Sequence, residues 1–278
     1  MAVLVALLGI GGYVFGGQNG FILFAGIGLV TNFLSYWFSD RIALASNRAK
    51  PISREAAPEL YGIVERLSNE AGIPTPPIYI IPSESPNAFA TGRSPKHSAV
   101  AVTTGLMQRL DAREIEGVLA HELSHVRSRD VLVATVAAGI AGLISSLGWV
   151  MQWGLLLAGG GRQRGGRGLS ALAWIIAAPI IAMLLRMAIS RGREYAADAS
   201  GAQLTRDPGG LADALEHLEV EAAQQPYQYA GPATAHLFIV NPLRGGGVIR
   251  WLSTHPPIAE RVARLRAMSE APRQRRSA

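Results

Sequence analysis

The chain has 278 residues, 49% of them hydrophobic and only 17% charged, with a formal net charge of +6 and no cysteine. A charged fraction well below the roughly 25% of soluble domains points to membrane segments. The lack of cysteine excludes disulfides, thiolate metal ligands and a cysteine nucleophile. The basic excess includes Arg162, Arg164 and Arg167 in a loop and Arg273, Arg275 and Arg276 in the tail. No nucleic-acid module accompanies them, so anionic lipid headgroups are the expected partner and nucleic acid is not.

Two apolar runs, Met1 to Phe15 and Phe21 to Phe38, flank the uncharged turn cluster Gly16-Gly17-Gln18-Asn19-Gly20. They predict a transmembrane hairpin whose second run has the length of a span and whose first falls slightly short. Asp40, Arg41, Arg48 and Lys50 then suggest a cytoplasmic exit. Leu60, Ile63, Val64 and Leu67 recur at helical spacing, Pro58 suits a first turn and Gly72 a stop, which predicts a soluble amphipathic helix. Ile78 to Ile81, Asn87 to Thr91 and Ser98 to Thr103 read as short strands, the last two joined by a turn-rich loop over 92–97. One edge of the resulting sheet, near Asn87 to Gly92 or Ser98 to Thr103, is expected to pair with an extended peptide.

Asp111 and Glu114 form a capping-box pattern that starts the next helix at Ala112. That helix carries His121-Glu122-Leu123-Ser124-His125. Four residues are just over one turn, so both imidazoles lie on one face and can reach a single Zn²⁺, with Glu122 beside the open coordination position. A carboxylate there can act as the general base toward a water molecule. The competing reading is three polar residues on an ordinary helix face; with six histidines in the chain a chance HExxH is rare. Arg113, Glu114 and Glu116 precede the motif within two turns, so the helix begins in water or at the interface, against a site deep in the bilayer.

Residues 131–158 are apolar without a charge, and 169–185 form another long apolar run; both read as transmembrane. The glycine- and arginine-rich loop at 159–168 lacks the Gly-Lys-Ser/Thr ending of a phosphate loop and reads as a hairpin connection. Its three arginines would lie outside if both runs span, and the basic residues near 41–50, 127–129 and 186–193 are expected to outweigh them. Beyond the hairpin, Glu194 and Asp198 share a helix face at i and i+4. Leu211, Leu215 and Leu218 mark another amphipathic helix, 224–247 reads as loops, and a last helix follows from about Ile258 to Met268. A catalytic zinc needs a third protein ligand, for which Glu194, Asp198, His217, His236 and His255 are the candidates. Glu194 returns on a helix that can pack beside the first, and Asp198 can then orient a ligand.

Taken together, Pro86-Asn87-Ala88-Phe89-Ala90-Thr91-Gly92, Val102 to Leu106, His121 to His125 with Asp130, Glu194 to Asp198, and Thr254-His255-Pro256 resemble the HtpX-like membrane-bound zinc metalloproteases, gluzincins related to the CAAX prenyl protease. The resemblance implies His121, His125 and Glu194 as ligands of one Zn²⁺ per chain and Glu122 as the catalytic acid/base. It further implies His255 near the developing oxyanion and an Arg261–Asp198 pair holding the Glu194 helix. Asn87, Ala88, Phe89 and Ala90 belong to the expected substrate strand. The fold class expected is a mainly α membrane protein with an α+β gluzincin-type domain containing a small β-sheet. Its parts are a hairpin (1–38), a first protease segment (39–130), a second hairpin (131–189), a second protease segment (190–270) and a disordered basic tail (271–278). The expected function is a zinc endopeptidase of the bacterial inner membrane, facing the cytoplasm and acting on unfolded or misfolded proteins, with other quality-control proteases as possible contacts. The alternatives are an intramembrane-cleaving zinc protease and a catalytically idle scaffold or chaperone.

Overall fold

The computed structural model describes residues 2–130, 187–224, 239 and 256–274. The expected second hairpin (131–189) lies outside these residues up to position 186, its arginine-rich loop included, as do His236 and His255. The chain divides into two compact units, one of residues 1–36 with 132–189 and one of residues 37–131 with 190–278.

In the first unit, helix α1 (Ala2–Trp37) is interrupted at Gly16 and Gly17, whose backbone angles are non-helical. The chain then doubles back. Gly12 meets the backbone of Gly20, Gly9 meets Phe21, and Gly28 meets Val5 and Leu8, so the two limbs run antiparallel at small-residue contacts. Residues 2–37 carry no charge. Ile22, Leu29, Val30 and Phe33 remain more than half exposed on the second limb. Among the described residues, no helix is long and apolar enough to cross a membrane.

The second unit is built on a four-stranded mixed sheet in the order β1-β2-β4-β3. Its strands are β1 (Lys50–Pro51), β2 (Ile78–Ile81), β3 (Ala88–Ser94) and β4 (His97–Thr103). β2 and β4 are parallel, whereas β3 pairs antiparallel with β4 from Ala88↔Val102 to Ser94↔His97. The strands are longer than the sequence suggests, because the loop expected over 92–97 contracts to a tight turn after a bulge between Gly92 and Ser94. Side chains alternate across the sheet. Ile78, Ala88, Val100 and Val102 enter the main core with α3 (Pro58–Ala71) and the central helix, while Ile81, Phe89, Ala99 and Ala101 pack with Ala43 and Leu44 of α2 (Ser39–Ser46). Both faces are thus covered, and among the described residues β3 remains as an edge.

After the short helix α4 (Thr104–Arg109), the central helix α5 runs from Ala112 to Arg127. Its Asp111–Glu114 capping box is complete in both directions. Val118, Leu119 and Leu123 of α5 are fully buried, each contributing about 1.5–3 kcal/mol of transfer free energy. Helix α6 (187–205) and helix α7 (Pro208–Gln224) follow, and α8 (Ile258–Gln274) packs on α7 and extends beyond Met268. Arg48, Arg129 and Arg206 adopt left-handed backbone just past α2, α5 and α6. That is the usual stop conformation, here with a cation near the negative end of each helix.

Candidate metal centre

α5 presents His121, Glu122 and His125 toward the sheet edge and α6. The first two are almost wholly buried and His125 is partly exposed. The Nε2 atoms of His121 and His125 face each other at 3.1 Å. Glu194 of α6 closes the triangle, with Oε2 3.7 Å from His121 Nε2 and Oε1 3.6 Å from His125 Nε2. Tetrahedral ligands on zinc at about 2.0–2.1 Å lie about 3.3–3.4 Å apart. All three candidate ligand atoms lie within 4.8 Å of one another.

The opposite ring nitrogens explain why those Nε2 atoms carry lone pairs. His121 Nδ1 lies 2.9 Å from Asp198 Oδ1, and His125 Nδ1 is hydrogen-bonded to Asp130. Each carboxylate accepts the Nδ1–H, which fixes the tautomer and turns the Nε2 lone pair inward. Two lone pairs and a carboxylate converging in a buried pocket repel one another unless a cation sits between them. The donor set, two imidazoles and one carboxylate, is a known catalytic zinc set. The residues therefore fit the ion.

Buried charges around the cluster are themselves paired. Arg261, fully buried on α8, donates Nε to Asp198 Oδ2 at 2.8 Å and Nη2 to Asp198 Oδ1 at 2.6 Å. Its Nη2 lies 3.4 Å from both ring nitrogens of His121, and Nη1 lies 3.7 Å from Glu194. Burial would raise the Asp198 carboxyl, but the Arg261 and His121 hydrogen bonds outweigh it and hold it at about 2. Burial, aided by Arg261, lowers His121 against the pull of Asp198. For His125 burial also acts downward, yet Asp130 with Glu194 and Glu122 raises it above its usual value. A second contact docks α8 on α6, where the Arg264 guanidinium lies 3.7 Å from the Tyr195 ring centroid.

Glu122 sits apart from the ligand triangle and points to the sheet. Its Oε2 accepts a 2.8 Å hydrogen bond from the Ala90 amide of β3. Burial pushes its carboxyl up to about 7, against His125 and the Ala90 amide, which pull it down. A carboxyl in that range takes and returns a proton near neutrality. Because the Ala90 amide is turned to Glu122, it points away from β4. Pleat alternation then directs the backbone of Ala88, Ala90 and Gly92 to the open edge.

Of the residues expected to bind substrate, Asn87, Ala88 and Phe89 are buried. Asn87 is used internally: its amide donates to Thr103 Oγ1 and its side chain accepts from the Ala88 amide. The side chains of Asn87, Ala88 and Phe89 are therefore turned inward, which leaves Ala90 and the strand backbone at the surface of β3. His217 lies on α7 with Nδ1 2.7 Å from Glu114, away from the cluster. The sequence reading assigned no role to two residues that the site uses. Asp130, five positions after His125, orients that imidazole and is also 3.2 Å from Arg193 Nε on α6. Gly201 on α6 lies against the backbone of Ala120 and His121, where a β-carbon would have no room. This close crossing brings Glu194 within reach of both histidines. Gly201→Ala is expected to push α6 outward, lowering zinc affinity at least tenfold and stability by about 1–3 kcal/mol. Chelator competition and thermal unfolding check both, and unchanged affinity would show that the crossing has slack.

Residues 54–269 match Peptidase family M48. A protein named Protease HtpX homolog from Pelotomaculum thermopropionicum is 50% identical over 272 residues, covering 97% of this chain and 96% of that protein. One of the same name from Thermococcus sibiricus is 50% identical over 274 residues, covering 97% and 94%. Among solved structures, Ste24p from S. mikatae superposes with a TM-score of 0.63 at 20% identity, over 94% of this chain and 62% of that one. That likeness concerns the fold.

Proposed function

The chain belongs to peptidase family M48, whose members are zinc metallopeptidases, and we propose that it is a membrane-anchored endopeptidase that cuts damaged or misfolded proteins. The observation that carries the reading is the convergence of His121, His125 and Glu194 beside a buried carboxylate, Glu122, at an open strand edge. His121, His125 and Glu194 hold the ion, with Asp198 and Asp130 orienting the imidazoles and Arg261 compensating the buried carboxylates. When bound, zinc polarises the scissile carbonyl and makes the attacking water more acidic. Glu122 takes the proton from that water at a carboxylate oxygen and passes it to the leaving amine. The β3 backbone, through the Ala90 carbonyl and Gly92, pairs with the extended peptide and sets its register, while the Ala90 amide stays on Glu122. His255 is assigned to the developing oxyanion, where one donor contributes about 10²–10³-fold in rate.

Membrane anchoring is supported by the uncharged α1 hairpin with its exposed apolar surface, an extent of apolar exposure that marks a contact surface. The apolar runs at 131–158 and 169–185 add to it. We assign 1–38 and 131–189 to the anchor, 39–130 and 190–270 to the protease domain on the cytoplasmic side of a bacterial inner membrane, and 271–278 to a basic tail. The charges Arg113, Glu114 and Glu116 at the start of α5 favour cleavage outside the bilayer over intramembrane cleavage.

The test is metal removal from the purified full chain. Chelation should abolish cleavage of an unfolded model protein, and stoichiometric zinc should restore it. Cleavage that survives complete zinc removal would overturn the reading.

A further inference from the structure

We propose that Arg129 and Arg93 make the groove beside His125 selective for peptides carrying a carboxylate two to three residues from the bond that is cut. The inference rests on the peptidase reading above and deepens it. A shallow groove runs between the second half of β3 and the C-terminal end of α5, lined by Ala90, Gly92 and Arg93 of the strand and by His125 and Arg129 of the helix end. Ala90 is at the catalytic carboxylate through its bond to Glu122. At about 3.3 Å per strand residue, Gly92 and Arg93 lie roughly 7–10 Å further along, the distance to the second or third side chain from the scissile bond. The bulge at Gly92 ends the regular ladder there, as bulges do where a strand end is re-aimed.

The groove's charge is unbalanced. Its one lining carboxylate, Asp130, is already engaged by His125 and Arg193. Arg93 lies over the Trp37 ring at 4.2 Å and donates to the Trp37 carbonyl at 3.3 Å, so its partner is aromatic and neutral. The Arg129 side chain is exposed and, among the described residues, engages no carboxylate. Among the described residues, two guanidiniums that engage no carboxylate thus line this groove. A concave site of one sign concentrates the opposite sign, and a guanidinium fork matches a carboxylate in two hydrogen bonds. The fitting occupant is an aspartate or glutamate of an extended peptide.

The test uses the zinc-loaded full chain and quenched-fluorescent peptides of one sequence, with Glu, Gln or Lys placed in turn at each of the three positions on either side of the cut. At one position two or three residues from the cut, kcat/KM for Glu should exceed that for Gln about fivefold, with Lys poorer still. The preference should shrink at high salt. Arg129→Gln should bring the Glu-to-Gln ratio to about one, Arg129→Lys should keep most of it, and Arg129→Glu should turn the preference toward Lys. Arg127→Gln, outside the groove, should leave the ratio alone. Equal cleavage of the three peptides by the wild type, or a ratio unmoved by Arg129→Gln, overturns the proposal while the peptidase reading stands. So does a loss of binding to phosphatidylglycerol vesicles with the ratio intact, since Arg129 would then be a headgroup contact. Failure of the wild type to cut any peptide or unfolded protein removes the peptidase reading, and this proposal with it.

Discussion

Glu122→Gln should lower kcat/KM on an unfolded model protein by about 10²–10⁴-fold, the range for loss of a positioned general base, while zinc content stays at one per chain. The substitution is suited to the site because the amide keeps the shape of the side chain and a carbonyl oxygen. That oxygen can still accept the Ala90 hydrogen bond that holds Glu122 against β3. The three candidate ligands are untouched. What is lost is the basic oxygen that takes a proton. Zinc by mass spectrometry and the circular dichroism spectrum should therefore match the wild type, and the loss should appear in kcat more than in KM. Cleavage near the wild-type rate would remove Glu122 from the chemistry. Normal zinc and no cleavage would also exclude a purely structural role for the cluster, since a structural zinc usually has four protein ligands and needs no base.

The second large effect is graded. Glu194→Ala should weaken zinc binding by more than about 100-fold, and Asp198→Asn by about 10–100-fold, the usual cost of losing a partner that orients a ligand. The order follows from what each offers the ion: Glu194 faces both Nε2 atoms, whereas Asp198 touches His121 from the far side of its ring and otherwise pairs with Arg261. Arg261→Met belongs to the same series but acts through stability. It leaves Asp198 and Glu194 buried without their cation, and breaking a buried pair of this kind costs about 3–5 kcal/mol. Chelator competition on the zinc-loaded proteins measures the affinities, and denaturant unfolding should show both Arg261→Met and Asp198→Asn destabilised, since the two residues share one buried ion pair. Full zinc affinity in Glu194→Ala would mean that another residue supplies the third ligand.

The central helix was legible in the sequence because all its signals are local. The Asp111–Glu114 box, the apolar positions and the i, i+4 histidines each depend on a few adjacent residues. The Glu194–Asp198 spacing likewise places both carboxylates on one face, but spacing within α6 says nothing about which helix it crosses. That is decided by Gly201 against His121, and a glycine within a helix has no sequence pattern that names its neighbour. Chain order and the donor set favour Glu194 among five candidates; the resemblance adds weight to it and alone pairs Arg261 with Asp198. Asp130 was in plain view within the quoted motif, yet its bond to His125 requires the turn after Arg127 to bring it back to the ring. On the sheet, Asn87 to Thr91 reads as a strand, with three apolar residues in a row between polar ends. Its second face is covered by the eight-residue α2, too short for a periodic signal, so the burial of Phe89 could not be read from the chain.

The division of the metal centre between α5, α6 and α8 also sets an order in time. His121, Glu122 and His125 leave the ribosome well before Glu194, and Arg261 follows His121 by 140 residues. At about 5–20 residues per second that interval is on the order of ten seconds. During it the growing chain carries His121, Glu122 and His125 but lacks the carboxylate and the guanidinium that complete the pocket. Cutting activity that depends on this cluster is therefore expected to appear only after the intervening apolar segment has been synthesised, so that the order of synthesis itself delays it.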